Sequence, residues 1–204
     1  MQTFIDTFGI EQNVGVNFDL TAIPNQFSMA QTRKFKHVVS LILYLQKIPI
    51  LGKFVYYGCY CFVDAQYNLA AGSGTPVDEI DRSCKNFHDC YKCVQKDFID
   101  ENGQDNCNGT TRSYRFRGFE DAVTQERRIE CTNEPGTCKR AICECDKRLA
   151  LELQEKEFEW NILHHQRWGG FMRDTECKKL TSTKSAKHDA VANQQRCCGR
   201  YPER

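Results

Sequence analysis

Apolar residues in KFKHVVSLILYLQ, positions 34 to 46, fall at Phe35, Val38, Val39, Ile42 and Leu45, a helical spacing that predicts a helix with one strongly apolar face. Between Tyr57 and Pro76 the run YGCYCFVDAQYNLAAGSGTP loses that periodicity. Gly72, Gly74 and Pro76 punctuate it and two cysteines pin its start, so it reads as a loop. Pro76 with the acids Asp78 and Glu79 marks a helix start, and a helix is expected from there to about Lys96. Residues 98 to 130 are polar, with Asn-Gly pairs followed by SYRFRGF, which points to a turn-rich stretch with a short hairpin. The segment 138 to 168, free of glycine and proline, is expected to form the longest helix, ended by Gly169 and Gly170. Residues 1 to 30 are weakly patterned and read as an N-terminal extension. A core of 34 to 168 with a tail of 169 to 204 completes one domain, 31 to 204.

Composition narrows the class. A chain of 204 residues with 40% hydrophobic content builds a real core, and a formal charge of +1 gives no global attraction to nucleic acid. Its longest apolar stretch, Val38 to Leu45, is broken by Ser40 and is too short to span a bilayer. Thirteen cysteines change the picture more. Of the close pairs, only Cys90 and Cys93 have the spacing of a zinc knuckle, so disulfides and a secreted, extracellular setting are expected. The first twenty residues have no basic start and no apolar core, so the chain reads as a mature form or a fragment. Asn108-Gly109-Thr110 is a glycosylation acceptor, suited to a surface loop.

The candidate chemistry lies in RSCKNFHDCY, residues 82 to 91, where His88 and Asp89 stand between two cysteines. YGCYC, a glycine loop ending in PVDEIDR, this cluster, and Cys143-Glu144-Cys145-Asp146 downstream together resemble the secreted phospholipase A2 family, over roughly residues 34 to 152. The resemblance implies a mainly α, disulfide-rich fold: an N-terminal helix, two long antiparallel helices, an extended calcium-type loop and a small β-hairpin. It implies bridges from Cys61 to Cys84, Cys90 to Cys145, Cys131 to Cys143, Cys107 to Cys138, and Cys59 to Cys197 or Cys198, tying the tail back. Cys93, Cys177 and one of the final pair are left unassigned. Two bridges common in the family are missing at both ends, since Ser83 and Glu152 replace one pair and Thr124 and the first helix lack another.

In the family the stretch reads Pro-x-Asp-x-x-Asp-Arg-Cys-Cys-x-x-His-Asp-x-Cys-Tyr, with histidine activating water and the next aspartate binding calcium. Matching Pro76, Asp78, Asp81, Arg82, Cys84, Cys90 and Tyr91 without gaps puts Phe87 at the histidine and His88 at the calcium aspartate. The His-Asp pair is present, one residue late. Phenylalanine cannot accept a proton, and imidazole is a poor substitute for a bidentate carboxylate on calcium. In this register no catalytic residue, metal or cofactor is expected, and Asp146 accepts hydrogen bonds from tyrosines such as Tyr91. The alternative is a shifted helix in an active calcium-dependent enzyme that cuts the sn-2 ester of phospholipids. There His88 is the base, oriented by Asp146 with Tyr91, and Tyr60, Gly72, Gly74 and Asp89 hold calcium. By the resemblance, Phe35, Val38, Val39, Ile42 and Phe87 line an acyl-chain channel. The expected function is therefore binding with impaired catalysis: to phospholipid or a membrane surface, or to an extracellular protein or matrix partner.

Overall fold

The computed structural model describes residues 29–63, 69, 71–99, 102, 104 and 106–177. The first helix, α1, runs Met29–Leu45, five residues earlier than its apolar stripe alone predicts. Met29, Ala30 and Gln31 are good helix formers with nothing to interrupt them. It stops before Pro49, whose ring bars helical backbone in the residue before it. The helix α2, Glu79–Asp97, starts where the proline and acids predict, with Asp78 as N-cap accepting from the Asp81 N–H at 2.8 Å. The hairpin pairs β1, Phe116–Glu120, with β2, Arg127–Cys131, in antiparallel register from Phe116 opposite Cys131 to Glu120 opposite Arg127. Asp121 closes its turn by accepting the N–H groups of Val123 and Thr124.

The helix α3, Cys138–Glu155, is capped by Thr137 and is shorter than expected. It does not continue to residue 168, and α2 is the longest helix among the described residues. The reason is a competing set of partners. Glu157 turns inward to accept the N–H groups of Lys47 and Ile48 and the Lys53 ammonium, while the Trp160 indole donates to the Lys53 carbonyl at 2.6 Å. Those bonds pull the chain off the helix axis into two short 3₁₀ turns, Glu157–Glu159 and Ile162–His164. A four-residue helix, α4, Arg173–Glu176, ends the described chain.

Helices α2 and α3 run antiparallel, bridged by Cys90–Cys145 and, one end along, by a hydrogen bond from Lys156 to Ser83. Helix α1 crosses α3 and contributes Phe35, Val38, Leu41, Ile42 and Leu45 to a core completed by Phe54, Ile80, Ile142, Leu149 and Leu153. Five disulfides join described residues: Cys59–Cys177, Cys61–Cys84, Cys90–Cys145, Cys107–Cys138 and Cys131–Cys143. Cys59 thus pairs with Cys177 and not with Cys197 or Cys198. The short helix α4 after the 3₁₀ turns brings Cys177 onto the 57–61 turn, a reach that the expected straight helix to residue 168 concealed. Cys93 is disulfide-bonded as well. Cys197, Cys198 and the extension up to residue 28 lie outside the described residues. Among the described residues, no helix is long and apolar enough to cross a membrane.

Candidate functional site

Asp146, fully buried on α3, is the hub. Tyr91 of α2 donates its hydroxyl to Oδ1 at 2.6 Å, and Tyr114, just before β1, donates to Oδ2. Oδ2 also takes the ammonium of Lys34, on the first turns of α1 and itself without solvent exposure. The lysine lies over both tyrosine rings, 4.4 Å from the Tyr114 centroid and 5.1 Å from that of Tyr91, which adds cation–π attraction in a dry setting. Burial pushes the Lys34 ammonium down to about 8 against the upward pull of Asp146, and pushes the Asp146 carboxyl up against its three donors. Both tyrosines are driven well above their ordinary value, by burial first and the carboxylate second. Both oxygens of the Asp146 carboxylate are thus matched by buried donors.

Helix α2 is unbroken from Glu79 to Asp97, with no bulge to shift its register. Phe87, one turn before Tyr91, therefore shares its face, with ring centroids 4.4 Å apart. His88 points elsewhere. Its ring lies 5.4 Å from that of Tyr60, it hydrogen-bonds the backbone of Leu69, and it sits under Gly72, so the loop covers it. Burial, with help from Lys92, pushes its imidazole down to about 4, so it is neutral at physiological pH. The structure brings Tyr91 and Asp146 together and leaves His88 out of their network. Asp89 lies on a third side, ion-paired to Lys85 at 3.0 Å and Lys92 at 3.4 Å. Burial would raise its carboxyl, but the two lysines hold it below the usual range.

Calcium needs several hard oxygens converging on one point. Here the Gly74 carbonyl already accepts the Tyr60 hydroxyl at 2.7 Å, the imidazole of His88 fills the space beneath Gly72, and Asp89 is committed to its lysines. Among the described residues these groups do not converge on one point as calcium ligands, and no group of three or more His, Cys, Asp or Glu side chains is placed to hold a metal ion. The loop is instead anchored by Asp81, fully buried, whose carboxylate accepts the N–H groups of Cys59, Tyr60 and Val77 at 2.7 to 3.0 Å. Gly58 permits this anchor. Its φ is +57°, and a Cβ there would come within 2.4 Å of the Asp81 side chain.

Phe35, Val38, Val39, Ile42 and Phe87 are all buried within the core, with Phe35 edge-on to Phe62 at 6.3 Å. Asn108 is exposed, and its side-chain oxygen accepts from Thr110. His164 and His165 diverge. His164 pairs with Asp78 at 2.6 Å beside the Tyr57 hydroxyl, whereas His165 is buried, donates Nε2–H to the Gly52 carbonyl and accepts the Arg167 and Trp168 N–H groups at Nδ1. Lys34 and Tyr114 are the members of the cluster that sequence reasoning missed. Lys34 carried a usable signal, since it is in helical phase with Val38, Leu41 and Leu45 on the buried face.

A family model described as phospholipase A2 matches residues 34–163. The chain is 31% identical over 129 residues to the basic phospholipase A2 beta-bungarotoxin A1 chain of Bungarus candidus, covering 60% of this chain and 80% of that one. It is 30% identical over 135 residues to the A-AL4 chain of Bungarus multicinctus, covering 66% and 80%, and 35% identical over 107 residues to the A1 chain of Bungarus flaviceps flaviceps, covering 52% and 59%.

Proposed function

This chain belongs to the phospholipase A2 family, and from that premise we propose that it is an extracellular phospholipid-binding protein that does not hydrolyse what it binds. One observation carries the reading: both oxygens of Asp146 are held by Lys34, Tyr91 and Tyr114, while phenylalanine stands beside Tyr91 where the family places its base. A general base must lie within hydrogen-bond reach of the water it activates and be oriented by its partner. His88 has neither, because the loop covers it and Asp146 is occupied. Binding is a different matter, since it needs only an apolar surface and a rigid scaffold; the disulfides supply the second, and in this reading exposed apolar side chains outside the packed stripe of Phe35, Val38, Val39, Ile42 and Phe87 supply the first. Five disulfides among the described residues favour an oxidising compartment, and the exposed Asn108 suits a glycan. The test is release of fatty acid from the sn-2 position of phospholipid vesicles with calcium present. No release above the protein-free rate is expected. Calcium-dependent release that His88→Ala abolishes would overturn the proposal.

A further inference from the structure

We infer that the C-terminal tail is stapled across the outer face of α2 by a disulfide from Cys93 to one of the tandem pair Cys197 and Cys198, a bridge that the family resemblance leaves unassigned. The chain has thirteen cysteines, and the five described bridges use ten of them. Cys93, Cys197 and Cys198 remain. Cys93 is itself disulfide-bonded, so within one chain its partner is Cys197 or Cys198. Its place on the helix supports this independently. At about 100° per residue, Arg82, Asn86 and Asp97 lie within about 40° of Cys93 around α2, whereas Phe87 lies about 120° away. Those three neighbours are exposed, yet Cys93 is only 6% exposed. A buried sulfur in a polar stripe needs a cover. Helix α3 does not lie over that stripe, since it meets α2 through Cys90 and Tyr91, about 60° and 160° round the helix from Cys93.

Chain length permits the closure. Cys177 is bonded to Cys59, whose N–H donates to Asp81 in the first turn of α2, and Asp81 lies about 18 Å along the helix from Cys93. Twenty residues lead from Cys177 to Cys197, enough to span roughly 66 Å when extended. The sequence between them, KKLTSTKSAKHDAVANQQR, has Leu180 and Val191 as its only large apolar residues, and the stripe of Arg82, Asn86 and Asp97 is polar too. Covalent closure, not apolar burial, therefore holds the tail on this face. A partner that approaches α2 from outside meets the chain's own tail first. On this assignment one cysteine of the tandem pair is left without a partner in its own chain.

The experiment is a peptide map of the oxidised full chain, unfolded in urea and alkylated with N-ethylmaleimide at mildly acid pH, where disulfide exchange is slow, and then digested with trypsin. The peptide of residues 93–96 is expected joined to that of residues 197–200, with one maleimide adduct on the latter and separation of the two on reduction. Fragmentation between Cys197 and Cys198 tells which sulfur is used. In Cys93→Ser the adducts are expected to rise from one per chain to two. Limited proteolysis within residues 178–196 is expected to release the piece bearing Cys197 and Cys198 at once from that variant, whereas in the parent it stays attached until reduction. Should the variant fail to fold, the map of the parent chain decides alone. A Cys197–Cys198 bridge beside an alkylated Cys93 would overturn the proposal. So would Cys93 joined to a cysteine of a second copy, in a dimer that reduction dissociates. No lipid enters these measurements, so their outcome is independent of whether the chain hydrolyses phospholipid.

Discussion

Lys34 decides how the Asp146 cluster behaves. Removing one partner of a buried ion pair leaves the other charge without compensation, so Lys34→Met is expected to cost about 3–5 kcal/mol in urea unfolding, and adding Asp146→Asn is expected to restore much of it. An unchanged midpoint in the single variant would mean that the pair is not buried as described. Two histidines set the acid limit. His37 and His88 are both pushed from 6.5 down to about 4, chiefly by burial, so the unfolded chain binds protons that the folded chain refuses between those values. Stability from this source is complete above about pH 6.5 and is lost as pH falls towards 4, by about 3 kcal/mol apiece. His88→Gln is expected to flatten that part of the stability profile measured by urea unfolding from pH 7 to 4. At this scale the sequence was half legible. Counting from Cys84 and Cys90 located Phe87 and His88 because a helix has a fixed period. No period foretold that a lysine on another helix would reach Asp146, since that contact joins residues 112 apart.

The element that most departs from expectation is the stretch after α3. Helix propensity favours continuation past Glu155, yet Glu157 gains two backbone donors and a lysine by leaving the helix. These partners hold its carboxyl below the usual range despite burial. A lowered carboxyl adds stability above the unfolded value near 4.5, and that stability is lost as pH falls through the lowered one. Glu157→Gln is therefore expected to be less stable than the parent at pH 7, by about 1–3 kcal/mol, with the gap closing towards pH 3 in the same unfolding measurement. Starts proved easier to read than ends. Pro76 and Asp78 act within one turn and are visible locally, whereas the stop at Glu155 is imposed by backbone donors more than a hundred residues away.

The whole molecule is a set of helices stapled at many points, and Cys59–Cys177 closes the longest of the described loops, with a sequence separation of 118. By the chain-entropy account such a loop is worth about 4–5 kcal/mol, so Cys59→Ala with Cys177→Ala is expected to lower the thermal midpoint more than Cys131→Ala with Cys143→Ala, whose separation is 12. Scanning calorimetry of the two variants decides it, and equal losses would argue that local packing outweighs loop closure. Fold class was legible at this scale because the motifs that resemble the phospholipase A2 family imply it and the helical pattern agrees with them. The route of the C-terminal strap was not, because it depends on where α3 ends. That strap passes so close to the loop that at Gly74, with φ +87°, a Cβ would lie 2.2 Å from the Cys177 carbonyl oxygen. A side chain at position 74 thus meets two separable obstacles, its own backbone angle and the strap, and only the second disappears if the strap is cut away. Position 74 and the residues after 170 are therefore not free to vary independently: a substitution excluded in the full chain becomes partly tolerable in a shortened one, and surveys of single changes would miss the dependence.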